Sequence, residues 1–139
     1  MNYGVKRITA IGLFMIFIAT FSNGTVYAQD LSDLTVEFGT ICENVVNHEV
    51  VAASTSFQSS IGKLYCFTKI IGAKEPTQIS HVWYYGETER ARIELAVKSA
   101  SWRTYSSKLI QPHETGTWHV DVLDSDGRIL ETYRFDMYQ

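Results

Sequence analysis

The side chains best suited to bind a ligand lie in one run, Trp102 to Lys108 (Trp-Arg-Thr-Tyr-Ser-Ser-Lys). Alternate residues of a β-strand share a face. One face of such a strand carries Trp102, Thr104, Ser106 and Lys108, and the other carries Arg103, Tyr105, Ser107 and Leu109. The candidate ligand-binding residues are therefore Trp102, Arg103, Thr104, Tyr105, Ser106 and Lys108.

The orientation of this strand decides which ligand it could hold. If Tyr105 and Leu109 point inward, the outward face offers an aromatic plane, two hydroxyls and an ammonium group, which can bind a sugar or a peptide. If Trp102 points inward, Arg103 points outward and can hold a carboxylate in a bidentate fork. The alternative is structural: Arg103 satisfies backbone carbonyls at a corner, and the hydroxyls pair with their neighbours.

The spacing of the serines and lysines argues against nucleophilic catalysis. A serine–lysine dyad needs a lysine within hydrogen-bond reach, but Tyr105 stands three residues before Lys108. Ser60 and Lys63 have the S-x-x-K spacing, yet they lie where a loop meets a strand, without the helix that would bring them together. We predict no catalytic residue and a protein that is not an enzyme. The alternative is a small exported hydrolase or metal-dependent enzyme.

The histidines do not have the spacing of a metal site. No H-x-H or H-E-x-x-H pattern occurs among His48, His81, His113 and His119. His81 shares a strand face with Trp83, which indicates a half-buried histidine bonded to the backbone. We therefore predict no metal ion and no cofactor.

The acidic turn at Asp124, Asp126 and Gly127 resembles part of a calcium loop. A calcium loop needs a bidentate Glu at its twelfth position, and counting from Asp124 that position is Phe135. A hairpin turn is the better interpretation, with Gly127 adopting the positive φ that the turn requires.

The chain has two cysteines, Cys42 and Cys66, and an even number permits one intramolecular disulfide. Each lies in a strand-like segment and shares the parity of apolar neighbours: Val36 and Phe38 for Cys42, Leu64 and Ile70 for Cys66. A disulfide between them would stabilise the fold by about 3 kcal/mol. The alternative is two buried free thiols, each acting as a small hydrophobe.

The first 28 residues have the pattern of a signal peptide. Lys6 and Arg7 precede an apolar run from Ile8 to Phe21, which is too short to cross a bilayer comfortably as a helix. Val26 and Ala28 fit a signal peptidase site with cleavage after Ala28. We predict export to the periplasm or outside the cell; an uncleaved membrane anchor is the alternative.

Removal of residues 1–28 would leave 139 − 28 = 111 residues with a formal charge of (12 − 2) − 15 = −5. That length fits one domain. A segment with this negative charge lacks the basic surface that is typical of nucleic-acid-binding proteins. We predict no nucleic-acid partner, and no membrane span in the segment 29–139.

Alternation of apolar and polar residues predicts an all-β fold. The predicted strands are 34–43, 62–71, 78–85, 91–98, 102–110, 118–123 and 128–137, with a further short edge strand at 49–53. About seven strands in 111 residues indicate a single immunoglobulin-like antiparallel β-sandwich. Trp83 and Trp118 stand among alternating apolar residues and are the predicted core tryptophans.

Several motifs occur in an order that is similar to the bacterial family called domain of unknown function 2914. They are His81-Val-Trp-Tyr-Tyr-Gly86, the run Trp102 to Lys108, Gly116-Thr-Trp-His-Val-Asp-Val122 and Asp126-Gly-Arg-Ile-Leu130, with Phe135 after them and Phe67-Thr68 upstream. The resemblance covers about Leu34 to Tyr138, and the run Trp102 to Lys108 is its most specific part. It implies no established activity, substrate or catalytic residue.

These observations favour a non-catalytic binding or structural module of the bacterial cell envelope. Its partner would be an envelope protein or a glycan, bound at the run Trp102 to Lys108 or on loops near it. A glycan binder should expose a row of aromatic side chains, for which Tyr84, Tyr85, Trp102 and Tyr105 are the candidates. A protein partner would more readily add a strand to a sheet edge.

Overall fold

The computed structural model describes Gly24 and residues 33–139, and this described part is built of strands. There are nine of them: β1 (Thr35–Val46), β2 (Glu49–Ala53), β3 (Ser56–Gln58), β4 (Lys63–Ile71), β5 (Thr77–Tyr85), β6 (Thr88–Val97), β7 (Ser101–Leu109), β8 (Gly116–Leu123) and β9 (Ile129–Tyr138). A single 3-10 turn, Ser59–Ile61, precedes β4. Within this part, no helix has the length and apolar character needed to cross a membrane. The signal peptide predicted at 1–28 lies outside the described residues, apart from Gly24.

The strands form two sheets. The four-stranded sheet has the order β2-β1-β4-β7, and the five-stranded sheet has the order β3-β9-β8-β5-β6. The pairings are antiparallel except that β3 lies parallel to β9. The all-β prediction is thus confirmed. Nine strands replace the predicted seven or so, because the short edge strand β2 is present and β3 is too short for alternation to reveal.

The core lies between the sheets, where apolar side chains from both meet. Ile41 and Leu64 of the four-stranded sheet pack with Trp83, Trp118 and Phe135 of the five-stranded sheet. Both tryptophans are completely buried, so the prediction that they belong to the core is confirmed. The indole of Trp83 meets the ring of Phe135 edge to face, with 6.1 Å between centroids, a favourable aromatic geometry.

A β-bulge in β1 overturns the predicted disulfide. Val36 pairs with Ile70 of β4, but Phe38 pairs with Lys69, so Glu37 is the extra residue and the alternation reverses after it. Ile41 then pairs with Cys66, and Cys42 pairs with Tyr65. Paired residues share a face, so Cys66 points to the same side of the sheet as Ile41. Cys42 follows Ile41 in the strand and therefore points to the opposite side. Both are buried and free, because the bulge breaks the alternation that would have placed the two thiols on one side.

Reduction is therefore expected to leave the thermal stability of the protein unchanged. Burial raises the pKa of both thiols, so neither should react with a thiol reagent in the folded protein. Unfolding without reductant should release both thiols of the chain. The measurement is a thiol count before and after denaturation, beside melting curves with and without dithiothreitol. A lower melting temperature in dithiothreitol would contradict the absence of a disulfide.

Candidate ligand-binding face

The strand β7 places Trp102 on the inner side. Trp102 packs against the buried cluster of Leu34, Ile70, Ile79, Val97 and Val122. Ser106 is buried on the same side, whereas Tyr105 is 41% exposed and Arg103 is exposed on the other. The sequence was compatible with two orientations of this strand, and in the structure Arg103 points outward. The predicted set is thus divided: Trp102, Thr104, Ser106 and Lys108 lie on the inner side of β7, where Thr104 and Lys108 are half-buried, and Arg103 and Tyr105 lie on the outer side.

Ser106 belongs to a buried polar network that links the two sheets. Its Oγ lies 2.7 Å from His81 Nδ1 and accepts a hydrogen bond from Trp83 Nε1 at 3.1 Å. The other ring nitrogen of His81 lies 3.1 Å from Thr68 Oγ1, which donates to the carbonyl of Thr104 at 3.4 Å. The prediction of a half-buried His81 bonded to the backbone is wrong. His81 is fully buried and contacts side-chain hydroxyls, because the opposite sheet presents Ser106 and Thr68 to its ring.

One arrangement of protons satisfies every donor in this network. Trp83 donates to Ser106, Ser106 donates to His81 Nδ1, His81 Nε2–H donates to Thr68, and Thr68 donates to Thr104. His81 is then neutral, and burial lowers its pKa to about 4. The Ser106 hydroxyl is enclosed and already bonded, so the close serine–histidine pair gives a substrate no nucleophile to reach.

Lys108 lies beside an ion pair at one end of the sheets. The buried carboxylate of Glu114 pairs with Arg90, and its Oε1 accepts a hydrogen bond from the Gln111 backbone N–H at 2.8 Å. Burial alone would raise the pKa of Glu114. The Gln111 N–H and the charges of Arg90 and Lys108 outweigh this effect, so the pKa of Glu114 lies below its ordinary value. Lys108 itself donates to the Leu109 carbonyl at 2.6 Å. Lys108 is thus placed with Glu114, away from the outward-facing Arg103.

The outer side of the four-stranded sheet carries an aromatic face made of Phe38, Tyr65, Phe67 and Tyr105. The ring centroids of Phe38 and Phe67 are 6.1 Å apart, and those of Tyr65 and Tyr105 are 6.0 Å apart. Tyr105 pairs with Phe67 across β7 and β4, which joins the two ring pairs into one surface. Phe38 is 50% exposed, so the face offers open ring area to a ligand.

Residues 44–52 form a hairpin arm that folds back over this aromatic face. Cys42 pairs with Tyr65, so a straight hairpin would carry its tip beyond the start of β4. Instead His48 at the tip lines the same groove as Phe38 and Arg103. Asn47 and His48 have the positive φ values of 51° and 60° that a tight two-residue turn requires. The arm thus covers part of the outer side of the sheet, where Cys42 and Phe67 are buried.

A groove of about 550 Å³ lies between the arm and the sheet, within the size range of small-molecule sites. Its apolar lining is Phe38, Phe67 and Val50, and its polar lining is Glu37, Asn47, His48, Glu49, Lys69 and Arg103. Lys69 is paired with Glu37 at 2.6 Å. Arg103 has no hydrogen-bond or ion-pair partner among the described residues, so its guanidinium is open to a ligand.

The four aromatic residues proposed as a glycan row do not form one. Tyr84 stacks on His119 in the five-stranded sheet, with centroids 4.6 Å apart, and Tyr85 stacks on the buried Trp118. Tyr85 also donates to the Thr115 carbonyl at 2.6 Å. Trp102 faces inward, which leaves Tyr105 alone of the four on the aromatic face. Phe38, Tyr65 and Phe67 were missed because only strand pairing brings them beside Tyr105.

The turn after β8 is a hairpin turn, as predicted. Asp124 Oδ1 accepts hydrogen bonds from the backbone N–H groups of Asp126 and Arg128, and its Oδ2 pairs with the Arg128 guanidinium at 2.9 Å. Gly127 has a φ of 83°. Over residues 33–139 and Gly24, no three His, Cys, Asp or Glu side chains converge closely enough to hold a metal ion.

Comparison with known protein families identifies the part of the chain that contains β7. Residues 76–137 match a family model described as "Protein of unknown function (DUF2914)". The resemblance predicted from the sequence motifs is thus confirmed over residues 76–137. The DUF2914 match begins just before β5 and ends within β9, so it includes Arg103 and Tyr105. The strands β1 to β4, which supply the rest of the aromatic face, precede it. Among curated proteins, none matches the chain.

Proposed function

We propose that this protein is an exported, non-catalytic module of the bacterial cell envelope that binds a glycan on its aromatic face. The observation that carries the proposal is the groove that Phe38 and Arg103 both line, where an exposed aromatic ring is combined with a guanidinium that has no partner among the described residues. The apolar C–H face of a sugar ring packs on an aromatic ring, and its hydroxyls bond to polar groups at the rim.

The proposal also includes export of the protein and an immunoglobulin-like fold. The apolar run before Ala28 supports a signal peptide, and the absence of any catalytic or cofactor role rests on the spacing of the polar residues. The size of the segment 29–139 and its two largely antiparallel sheets support the immunoglobulin-like assignment. A periplasmic or extracellular location follows from export.

Replacing Phe38 or Tyr105 with serine is expected to weaken glycan binding roughly tenfold, because each change removes an exposed ring from the face. The full chain, expressed so that the cell can process its N-terminus, would be run by affinity electrophoresis through gels containing soluble polysaccharides, and tested for co-sedimentation with purified peptidoglycan. Ile129→Ser is the matched control, since Ile129 is 61% exposed on β9 of the other sheet. Equal binding by all three variants and the wild type would place the glycan elsewhere, and no binding to any glycan would overturn the proposal.

A protein partner is the second candidate, and the open edge of β7 favours it. β7 pairs with β4 on one side and, within the described part of the chain, ends the four-stranded sheet on the other, so a nine-residue strand could accept a further strand from a partner. Retention of an envelope protein that is unaffected by Phe38→Ser would favour this edge over the aromatic face.

A further inference from the structure

We infer that the glycan recognised by the aromatic face carries carboxylate groups, as an oligomer of uronic acids does, and that Arg103 selects it. This inference rests on the proposed function and names the chemistry of its ligand. Three observations lead to it: the charge of the face, the unpaired state of Arg103, and the position of Arg103 within the groove.

The outer side of the four-stranded sheet carries the cations Lys63, Lys69 and Arg103 and the groove carboxylates Glu37 and Glu49, a small positive excess in a chain whose formal net charge is −3. Lys69 and Arg103 pair across β4 and β7, and Lys63 lies near the end of the same face, with its ammonium 5.4 Å from the centre of the Tyr65 ring. A local excess of cations on an otherwise acidic protein favours the approach of an anionic ligand to this face over the rest of the surface.

The two cations in the groove are not equivalent. Lys69 is held by Glu37 at 2.6 Å, so its charge is already compensated. Arg103 has no such partner among the described residues, and its planar guanidinium matches a carboxylate through two parallel hydrogen bonds. Arg103 is therefore the group that distinguishes an acidic sugar from a neutral one.

The position of Arg103 lets it act together with the aromatic rings. Arg103 lines the groove with Phe38 and Phe67, and it also lines a second cavity of about 380 Å³ with His48 and Trp102. A sugar ring lying on Phe38 would thus have a guanidinium at its side. The carboxylate of Glu49 in the arm also lines the groove and repels an anionic ligand, so its removal should strengthen binding.

The test compares acidic oligosaccharides with neutral ones of the same skeleton. Short oligomers of galacturonic, glucuronic and mannuronic acid would be titrated into the full-chain protein by calorimetry, each as the free acid and as its methyl ester. At least one free acid is expected to bind roughly tenfold more tightly than its ester, the change that one charge-assisted bidentate contact produces. Added salt should weaken binding of the acid and leave that of the ester unchanged.

Three variants separate the contribution of Arg103 from that of general charge. Arg103→Ala should abolish the preference for the acid, Arg103→Lys should restore only part of it, and Glu49→Gln should raise the affinity for the acid by roughly two- to threefold. Arg134→Ala, a charge change on β9, is the control and should have no effect. Ester binding that Phe38→Ser abolishes would support the proposed function independently of the preference for the acid.

Four outcomes would overturn the inference. The first is equal affinity for acid and ester, which leaves a neutral glycan as the ligand. The second is an Arg103→Lys variant that prefers the acid over the ester as strongly as the wild type does, which means that a positive charge alone suffices. The third is tighter binding of single-stranded oligothymidylate than of any uronic acid oligomer, which makes the face a general polyanion site. The fourth is no binding of any free acid. The proposed function is then judged separately, by whether neutral glycans or peptidoglycan still bind.

Discussion

Lowering the pH from about 7 to about 5 is expected to cost the folded protein about 2 kcal/mol through His81 alone. Burial between the sheets lowers the pKa of His81 to about 4 from an ordinary value of 6.5. Below pH 6.5 the unfolded chain therefore binds a proton that the folded chain excludes. The contribution is fully present above the unfolded pKa and is lost as the pH falls toward the folded pKa, reaching about 3 kcal/mol near pH 4.

The measurement is urea unfolding over this pH range for the wild type and His81→Asn. The variant is expected to be less stable at pH 7, because the network loses a ring that reaches both Ser106 and Thr68. Its stability should fall by about 2 kcal/mol less than that of the wild type between pH 7 and pH 5. If the variant does not fold, the titration of His81 followed by NMR in the wild type still decides the matter. A pKa near 6.5 for His81 would contradict the account.

Replacing Gly39 with alanine is expected to cost about 2 kcal/mol, although alanine is at least as compatible with a strand. A Cβ at this position would lie only 2.7 Å from Cε2 of Tyr133 and would overlap the end of its ring. Gly39 of β1 and Tyr133 of β9 belong to different sheets, so the contact helps to set how closely the sheets approach. Tyr133 packs against both core clusters and has little room to move.

A double-mutant cycle tests the cause of this loss. Tyr133→Leu shortens the side chain that occupies the space beside Gly39, so Gly39→Ala should cost much less in that background, with a coupling of about 1 to 2 kcal/mol. Chemical denaturation of the four proteins gives the required free energies of unfolding. The same cost for Gly39→Ala with tyrosine and with leucine at position 133 would show that the ring is not responsible.

The strands of this protein were readily predicted from its sequence because each carries its own alternation of apolar and polar residues. β6 and β8 are clear examples, and their predicted bounds differ from the observed ones by only a few residues. The relation between strands was harder to predict. The bulge at Glu37 changes the parity of β1, and no local pattern in the sequence marks it, so the predicted pairing of Cys42 with Cys66 failed.

The candidate site was predicted only in part for the same reason. The run Trp102 to Lys108 gave the chemistry of Arg103 and Tyr105, but the alternation within it fits either orientation. The inward orientation of Trp102 is decided by packing against Ile70 and Val97, which lie on other strands. Phe38 joins the site because β1 lies beside β4, and His48 joins it because the arm folds back. Both are consequences of tertiary structure.

The arm over the aromatic face also explains where the backbone of this protein is strained. Ala52 has a φ of 56°, in the left-handed region that costs a residue other than glycine about 1 kcal/mol or more. It lies at the root of the arm, next to Ala53, which pairs with Cys42. Packing over the buried side chains of Cys42 and Phe67 offsets this cost and keeps the arm above the groove.

The central claim, that a glycan binds on the aromatic face, is tested most directly by mapping the bound sugar with NMR. Backbone and aromatic resonances of the isotopically labelled protein would be followed while an oligosaccharide from the binding panel is added. We expect the largest shifts at Phe38, Tyr105 and Arg103 and at the tip of the arm, with Tyr84 and His119 on the opposite sheet unchanged. Shifts confined to the five-stranded sheet, or to the open edge of β7 with Phe38 unmoved, would contradict the claim.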